Sequence, residues 1–320
     1  MTSIAGIEFV APPRRLSLAD VLAVLDPADA AQASRLGVAE LHVADGLAGH
    51  VLAARAARAA LARGGVPPED VDVLVTVPDR VPTAFMQSET TRLQAAIGAG
   101  NALAVSVGDL GCASGTSALL VLDALLAREP SRGVGLIAFA ATAPTPYRYR
   151  RPVALNGDGA TAVLVKPGGP GLMLLDVVQA TDGDYWDLFS VEYRKSPPEL
   201  WREVCRDEKQ YSHTLGMKSI GMVRKLAADL LDRNGVTMRQ VTHVVMQNLS
   251  TSSIEFYGQA LDHPVSPVCA ANLSAYGHLG PLDVFVNLRS LDGLCEVGDL
   301  VLALNNSPVA AWSVALFKKV

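Results

Sequence analysis

The stretch ALARGGVPPEDVDVLVTVPD, from Ala60, recurs later in the chain as LLDRNGVTMRQVTHVVMQNL, from Leu230, in gapless register at an offset of 170 residues. Leu61, Arg63 and Gly65 fall on Leu231, Arg233 and Gly235, and Val66, Val71 and Val75 fall on Val236, Val241 and Val245. In each copy a helix ends at a glycine, a polar turn follows and a valine-rich strand begins. A supersecondary unit used twice restricts the chain to folds built from two related halves. A second, fainter echo at an offset of 166 sets LGCASGTSALLVLDALL against YGHLGPLDVFVNLRSLD, with Gly111 over Gly277 and Cys112 over His278. If the halves pair about a pseudo-two-fold axis, these turns meet and a nucleophile comes to lie beside a base.

Between the echoes, alanine- and leucine-rich helical runs alternate with short strands such as AVSV, VGLIAFA and TAVLV, which reads as layered α/β. The glycine-proline turn VKPGGPG divides the chain into an N-terminal half, residues 1–168, carrying Cys112, and a C-terminal half, residues 169–320, carrying His278. A net charge of −5 without a basic run gives no nucleic-acid footprint. The start, MTSIAGIEFVAPPRR, is unlike a signal peptide, and SALLVLDALLA, interrupted by Asp123, reads as too short to span a membrane, so a cytoplasmic location is expected. Cys112, Cys205, Cys269 and Cys295 show neither metal-ligand spacing nor a disulfide framework, so no metal is expected.

Cys112 admits two readings. It is a small buried residue packing a helix on a sheet, or a nucleophile whose thiolate is stabilised by a helix N-terminus, with Gly111, Ala113, Ser114 and Gly115 leaving room for substrate. The run GDLGCASGTSALL resembles the nucleophile region of the β-ketoacyl-acyl-carrier-protein synthase III family of the thiolase superfamily. In order along the chain, SRLGVAE from Ser34, ARAALARGGVPPEDVDVLV, LNGDGATAVLV from Leu155 and GDLVLALNNSPVAAWSVALFKK from Gly298 resemble further segments of that family. The resemblance spans essentially the whole chain. It implies a thiolase-like fold, two similar α/β halves in a five-layered α-β-α-β-α arrangement, and a homodimer.

Condensing members of the family carry a histidine and an asparagine where this chain reads VMQNLS and AYGHLGP, which places Gln247 at the histidine and His278 at the asparagine. Decarboxylative condensation needs two donors on an enolate, whereas acyl transfer to a hydroxyl or amine needs a base beside the acyl-cysteine. Cys112 with His278 suits the second chemistry. Asp283 either orients the imidazole as a third member or is a first-turn carboxylate answering the helix dipole. Members with this exchange resemble glycoside O-acyltransferases of secondary metabolism. The preferred function is therefore an acyltransferase taking an acyl group from an acyl-carrier-protein or coenzyme A thioester onto Cys112, with His278 as base and no further cofactor. The alternatives are a condensing enzyme that starts fatty-acid or polyketide synthesis, with Gln247 and His278 as enolate donors, and a non-catalytic partner subunit.

At the glycine that supplies the family's oxyanion-hole N–H, this chain has Val309, preceded by Pro308. Arg35, and Arg148, Arg150 and Arg151 in PYRYRRP, match the region of the family's carrier or coenzyme A entrance, or are solvated arginines. Lys218, Arg224 and Lys225 recur at helical spacing and read as a docking face for an acidic carrier protein or as a solvated face. Asp158 in NGDGA reads as a turn former.

Overall fold

The computed structural model describes residues 1–80, 82, 84 and 86–320. Nine strands form one sheet: β1 (Thr2–Val10), β2 (Val73–Thr76), β3 (Leu103–Ser106), β4 (Gly135–Ala141), β5 (Gly159–Pro167), β6 (Leu172–Thr181), β7 (His243–Met246), β8 (Leu300–Asn306) and β9 (Ala311–Lys319). Their order is β7-β8-β9-β6-β1-β5-β4-β2-β3. The first half runs β1-β5-β4-β2 and the second β6-β9-β8-β7, with antiparallel pairing at the centre and a parallel pair, β4 with β2 and β8 with β7, further out. This is one topology used twice, and β3 extends only the first copy. The halves join where β1 meets β6, at Ser3 opposite Met173 and Ile4 opposite Leu172. The repeated sequence unit lies where the register predicts: β2 and β7 occupy equivalent places, each preceded by a short 3-10 turn, Pro68–Asp70 and Met238–Gln240.

Four helices make the layers: α1 (Gly49–Arg63), α2 (Ser114–Arg128), α3 (Gly216–Arg233) and α4 (Asp283–Asp292). Side chains alternate across the strands. Leu74, Leu136, Ala138 and Leu164 face α1, whose alanines 53, 56, 57 and 60 allow close approach. Val73, Val75, Ile137 and Phe139 point the other way, into a core shared with Leu119 and Leu122 of α2 and Phe285 of α4. Both α2 and α4 touch strands of both half-sheets, while α3 covers β6, β8 and β9 from outside. The layers are therefore α1, half-sheet, α2 with α4, half-sheet, α3, the five-layered thiolase-like arrangement.

The middle position of α2 explains its apolarity. With its leading turn, the helical run Gly111–Arg128 is long and apolar enough, by length and composition, to cross a membrane, but over half of it is buried between the half-sheets. The sequence segment SALLVLDALLA understated this run, because the turn and the first turn of the helix continue it. Asp123 is accommodated by a hydrogen bond from the Thr2 hydroxyl at 2.7 Å.

Candidate active site

Cys112 stands in a 3-10 turn, Gly111–Ala113, that leads into α2, and the corresponding turn of the second half, Gly280–Leu282, leads into α4. Leu110 (φ −105°, ψ 13°) and Leu279 (φ −101°, ψ 14°) enter these turns alike, and Gly111 and Gly280 follow at φ 55° and 63°. Structurally, Cys112 thus lies over Pro281 and not over His278, which corrects the register of the second sequence echo. YGHLG offers two glycines; Gly277 ends the helix Pro267–Tyr276, and it is Gly280 that repeats the turn.

His278 reaches the cysteine from the approach to its turn. Its backbone N–H donates to the Leu155 carbonyl at 2.8 Å, and its carbonyl accepts from the Gly157 N–H at 3.1 Å. A Cβ at Gly157 would collide with the Tyr276 carbonyl oxygen, so a glycine is required for this segment to hold the histidine. At Gly115 a Cβ would lie 2.5 Å from the Pro281 carbonyl oxygen and 3.1 Å from the Phe285 ring, so the starts of α2 and α4 meet only across a glycine. The NGDG segment is structural, but Asp158 forms no tight turn with its flanking glycines and instead ties distant segments together. Asp158 accepts from the Ala44 and Ala143 N–H groups, each at 2.7 Å, and is clamped by both terminal nitrogens of Arg148 at 2.9 and 2.8 Å.

The result is a buried relay. The Cys112 Sγ lies 3.5 Å from His278 Nε2, and His278 Nδ1 donates to Asp283 Oδ2 at 2.6 Å. Asp283 also accepts from the Leu279 N–H at 2.8 Å and the Asn248 N–H at 2.9 Å. Asn287 secures the segment behind it by donating to the Asn248 side chain at 2.8 Å and the Met246 carbonyl at 2.7 Å. The Nδ1–carboxylate bond fixes the tautomer that leaves Nε2 free to take the thiol proton. Burial alone would push the Cys112 thiol up, but the adjacent His278, aided by Arg150, brings it below the ordinary cysteine value. Burial likewise opposes charge on His278, yet Asp283 and Cys112 raise its pKa to about 9.

A thiol lowered beside an imidazole raised in this way has a direct readout. Iodoacetamide should alkylate Cys112 well below pH about 8.5. Cys269 and Cys295, whose thiols burial pushes up to about 12 and about 11, should stay unmodified. Peptide mass spectrometry across pH reports both, and His278→Ala should move the Cys112 profile upward.

Gln247 is 1% exposed; its Oε1 accepts from the Asn306 N–H at 3.2 Å, and its Nε2 has no partner among the described residues. The Val309 N–H points to Ser307 Oγ at 3.3 Å, and the strained φ of the loop falls on Ala310, at 51°, so this N–H is already engaged and is not an open oxyanion donor. Arg35 lies exposed at the rim of a cavity of about 560 Å³ that reaches Cys112. Arg150 is not at an entrance: it is 3% exposed, lines that cavity and is held by Glu203. Arg151 turns away to Asp29 at 3.1 Å and Glu208 at 2.7 Å, which removes it from the cavity wall. On α3, Lys218 pairs with Asp182 and Lys225 with Asp229, so of the three basic residues only Arg224 lacks an ion pair among the described residues. The sequence did not single out Glu203, Tyr211 or Asn248. Only Asn248, beside Gln247 in VMQNLS, had a local signal. His243, Cys295 and Asp299 place ligand atoms within 4.8 Å of one another, a grouping invisible in sequence and removed from Gln247 by the length of β7.

No protein-family model matches the chain. The β-ketoacyl-acyl-carrier-protein synthase III of Aliarcobacter butzleri (strain RM4018) is 24% identical over 316 residues, covering 96% of this chain and 94% of that protein. Among solved structures, the 3-oxoacyl-acyl-carrier-protein synthase III of Aquifex aeolicus VF5 superposes with a TM-score of 0.83 at 19% identity, over 99% of this chain and 100% of that one. A protein described as the acyltransferase ChlB3 superposes at 0.82 with 24% identity, over 100% and 98%. In sequence over nearly its full length and in its doubled sheet, the chain is a homologue of the β-ketoacyl-acyl-carrier-protein synthase III proteins and shares their thiolase-like fold.

Proposed function

We propose that the protein is an acyltransferase that accepts an acyl group on Cys112 from an acyl-carrier-protein or coenzyme A thioester and passes it to a hydroxyl or amine, with a sugar of a secondary metabolite as one such acceptor. The relay from Cys112 through His278 Nε2 and Nδ1 to Asp283 carries this reading. In the first step the thiolate attacks the thioester carbonyl. The carrier sulfur then leaves with the proton of the His278 imidazolium. In the second step His278 Nε2 takes the acceptor's proton as its oxygen or nitrogen attacks the acyl-cysteine. An ester or amide forms, the C–S bond breaks, and the thiolate returns beside a protonated His278. The Cys112 N–H, at the head of α2, has no acceptor among the described residues and is the donor this reading assigns to the oxyanion. No cofactor beyond the thioester enters, and a cytoplasmic location and a homodimer go with the proposal.

One observation favours a condensing enzyme: the buried Gln247 Nε2 has no partner among the described residues, and this reading would set it with His278 as the second donor to an enolate. Mass spectrometry of the native protein and of Cys112→Ala separates the readings, with a panel of thioesters that includes malonyl and with carbon dioxide detection. Acyl transfer predicts an adduct on the native protein alone and no carbon dioxide from malonyl thioester. Release of carbon dioxide with a ketoacyl product would establish condensation, and no adduct from any donor would leave a non-catalytic partner. The mass under native conditions reports whether the chain pairs.

A further inference from the structure

The cavity that reaches Cys112 also holds a cation whose terminal nitrogens have no part in the bond making and breaking of acyl transfer. The Arg150 side chain is 4% exposed, and its Nε donates to Glu203. Its two terminal nitrogens have no hydrogen-bond partner among the described residues, and they are not sealed from the space that Cys112 lines. Glu203 does not belong to Arg150 alone. It lies 3.5 Å from Arg80 and accepts from Asn156 at 3.4 Å, so two guanidiniums share one carboxylate. Tyr211 adds a phenol to the same wall. It is carried on a single π-helical turn, Gln210–Leu215, an irregularity that often marks functional sites. Burial pushes this phenol up, so it stays a neutral donor.

Before loading, the Cys112 sulfur faces this cavity, and its thiol ionises more readily than an ordinary cysteine. Acylation makes the sulfur neutral while the imidazolium proton leaves on the carrier, so the charge of the site is unchanged and Arg150, at the wall of the cavity, still shares the one Glu203 carboxylate with a second guanidinium. A methyl-ended acyl chain would leave Arg150 desolvated without a new partner, which is costly. A chain that ends in a carboxylate would meet a planar pair of donors suited to two parallel hydrogen bonds.

We propose that Arg150, with Tyr211 beside it, selects acyl groups that end in a carboxylate, so that the donors are monothioesters of dicarboxylic acids. This rests on the acyl-transfer reading and names its substrate class. Arg150 acts as a specificity-determining residue that touches the acyl end, while bond making and breaking stay at Cys112.

The test compares malonyl, succinyl and glutaryl thioesters with their uncharged methyl-ketone counterparts, acetoacetyl, 4-oxopentanoyl and 5-oxohexanoyl, each as coenzyme A and as pantetheine thioester. The initial rate of adduct formation on Cys112 of the full chain is read by intact mass. At least one acid should load about tenfold or more faster than its counterpart, because the ketone offers one uncharged acceptor where the carboxylate offers two charged ones to the guanidinium fork. Arg150→Gln should collapse that ratio, and Arg150→Lys should restore part of it. Since removing Arg150 can unfold the chain by stranding Glu203, the native-protein ratio is decisive by itself, and R150Q/E203Q provides a charge-balanced variant. Ketones that load as fast as the acids would overturn the proposal while leaving acyl transfer standing. So would R150Q slowing both sets equally, which would assign Arg150 to the thiolate. An absence of adduct from every thioester would bring down the acyl-transfer reading as well.

Discussion

Cys112→Ala should abolish both the acyl adduct and turnover, and His278→Ala should lower turnover by about 10²–10⁴-fold, the usual contribution of a positioned acid–base group. The two losses have different origins. Without Cys112 no covalent intermediate exists. Without His278 the thiol loses the group that brings its pKa below the ordinary cysteine value, and under the proposed acyl transfer the acceptor would lose its base. Rapid-quench mass spectrometry resolves the two steps. For His278→Ala, slow loading at neutral pH should recover partly as pH rises and hydroxide ionises the thiol, whereas transfer to the acceptor should stay slow. If His278→Ala loaded and transferred at native rates, the relay would have no catalytic role.

Asp283 is expected to show an effect of similar size, and its two substitutions separate orientation from stability. Asp283→Asn keeps the shape but replaces an acceptor facing His278 Nδ1 with an amide whose donor end competes for that place, so the imidazole turns or changes tautomer. A loss of about 10⁴-fold in turnover with the fold intact is the magnitude such a replacement produces in a hydrolase triad. Asp283→Ala removes the acceptor from His278 Nδ1 and from the Leu279 and Asn248 N–H groups at once, all in a fully buried site. Breaking a buried pair in this way costs about 3–5 kcal/mol, which urea denaturation monitored by circular dichroism would report. An unchanged denaturation midpoint for Asp283→Ala would show that the carboxylate does not anchor the loop after β7.

The site was partly legible because some of its features are local. A cysteine among small residues ahead of an apolar helix can be read from neighbours in sequence. So can the exchange that puts His278 in AYGHLGP, and the five-residue separation of His278 and Asp283 that lets the carboxylate reach back from the first turn of α4. Arg150 shows the limit. PYRYRRP gives three arginines in four positions with no sign of which is solvated, and it takes Glu203, 53 residues away, to draw Arg150 inward while Arg151 turns to Asp29 and Glu208. The basic stripe on α3 was visible as periodicity, but Asp182, on another element, takes up Lys218.

The sequence by itself determined the doubled architecture, because a helix-turn-strand unit written twice must be built twice, and it determined the chemistry of the two key side chains, because a thiol and an imidazole keep their reactivity in any fold. Their meeting was decided only by tertiary structure. Cys112 and His278 are 166 residues apart and come within 3.5 Å because α2 and α4 converge at Gly115, and because the backbone of Leu155 and Gly157 grips that of His278. The same holds for charge. A residue's formal charge is written in the sequence, but whether it faces water or a closed cavity, and which partner shares it, depends on burial and on contacts between distant segments. Those set the lowered thiol at Cys112, the raised imidazole at His278 and the divided carboxylate of Glu203.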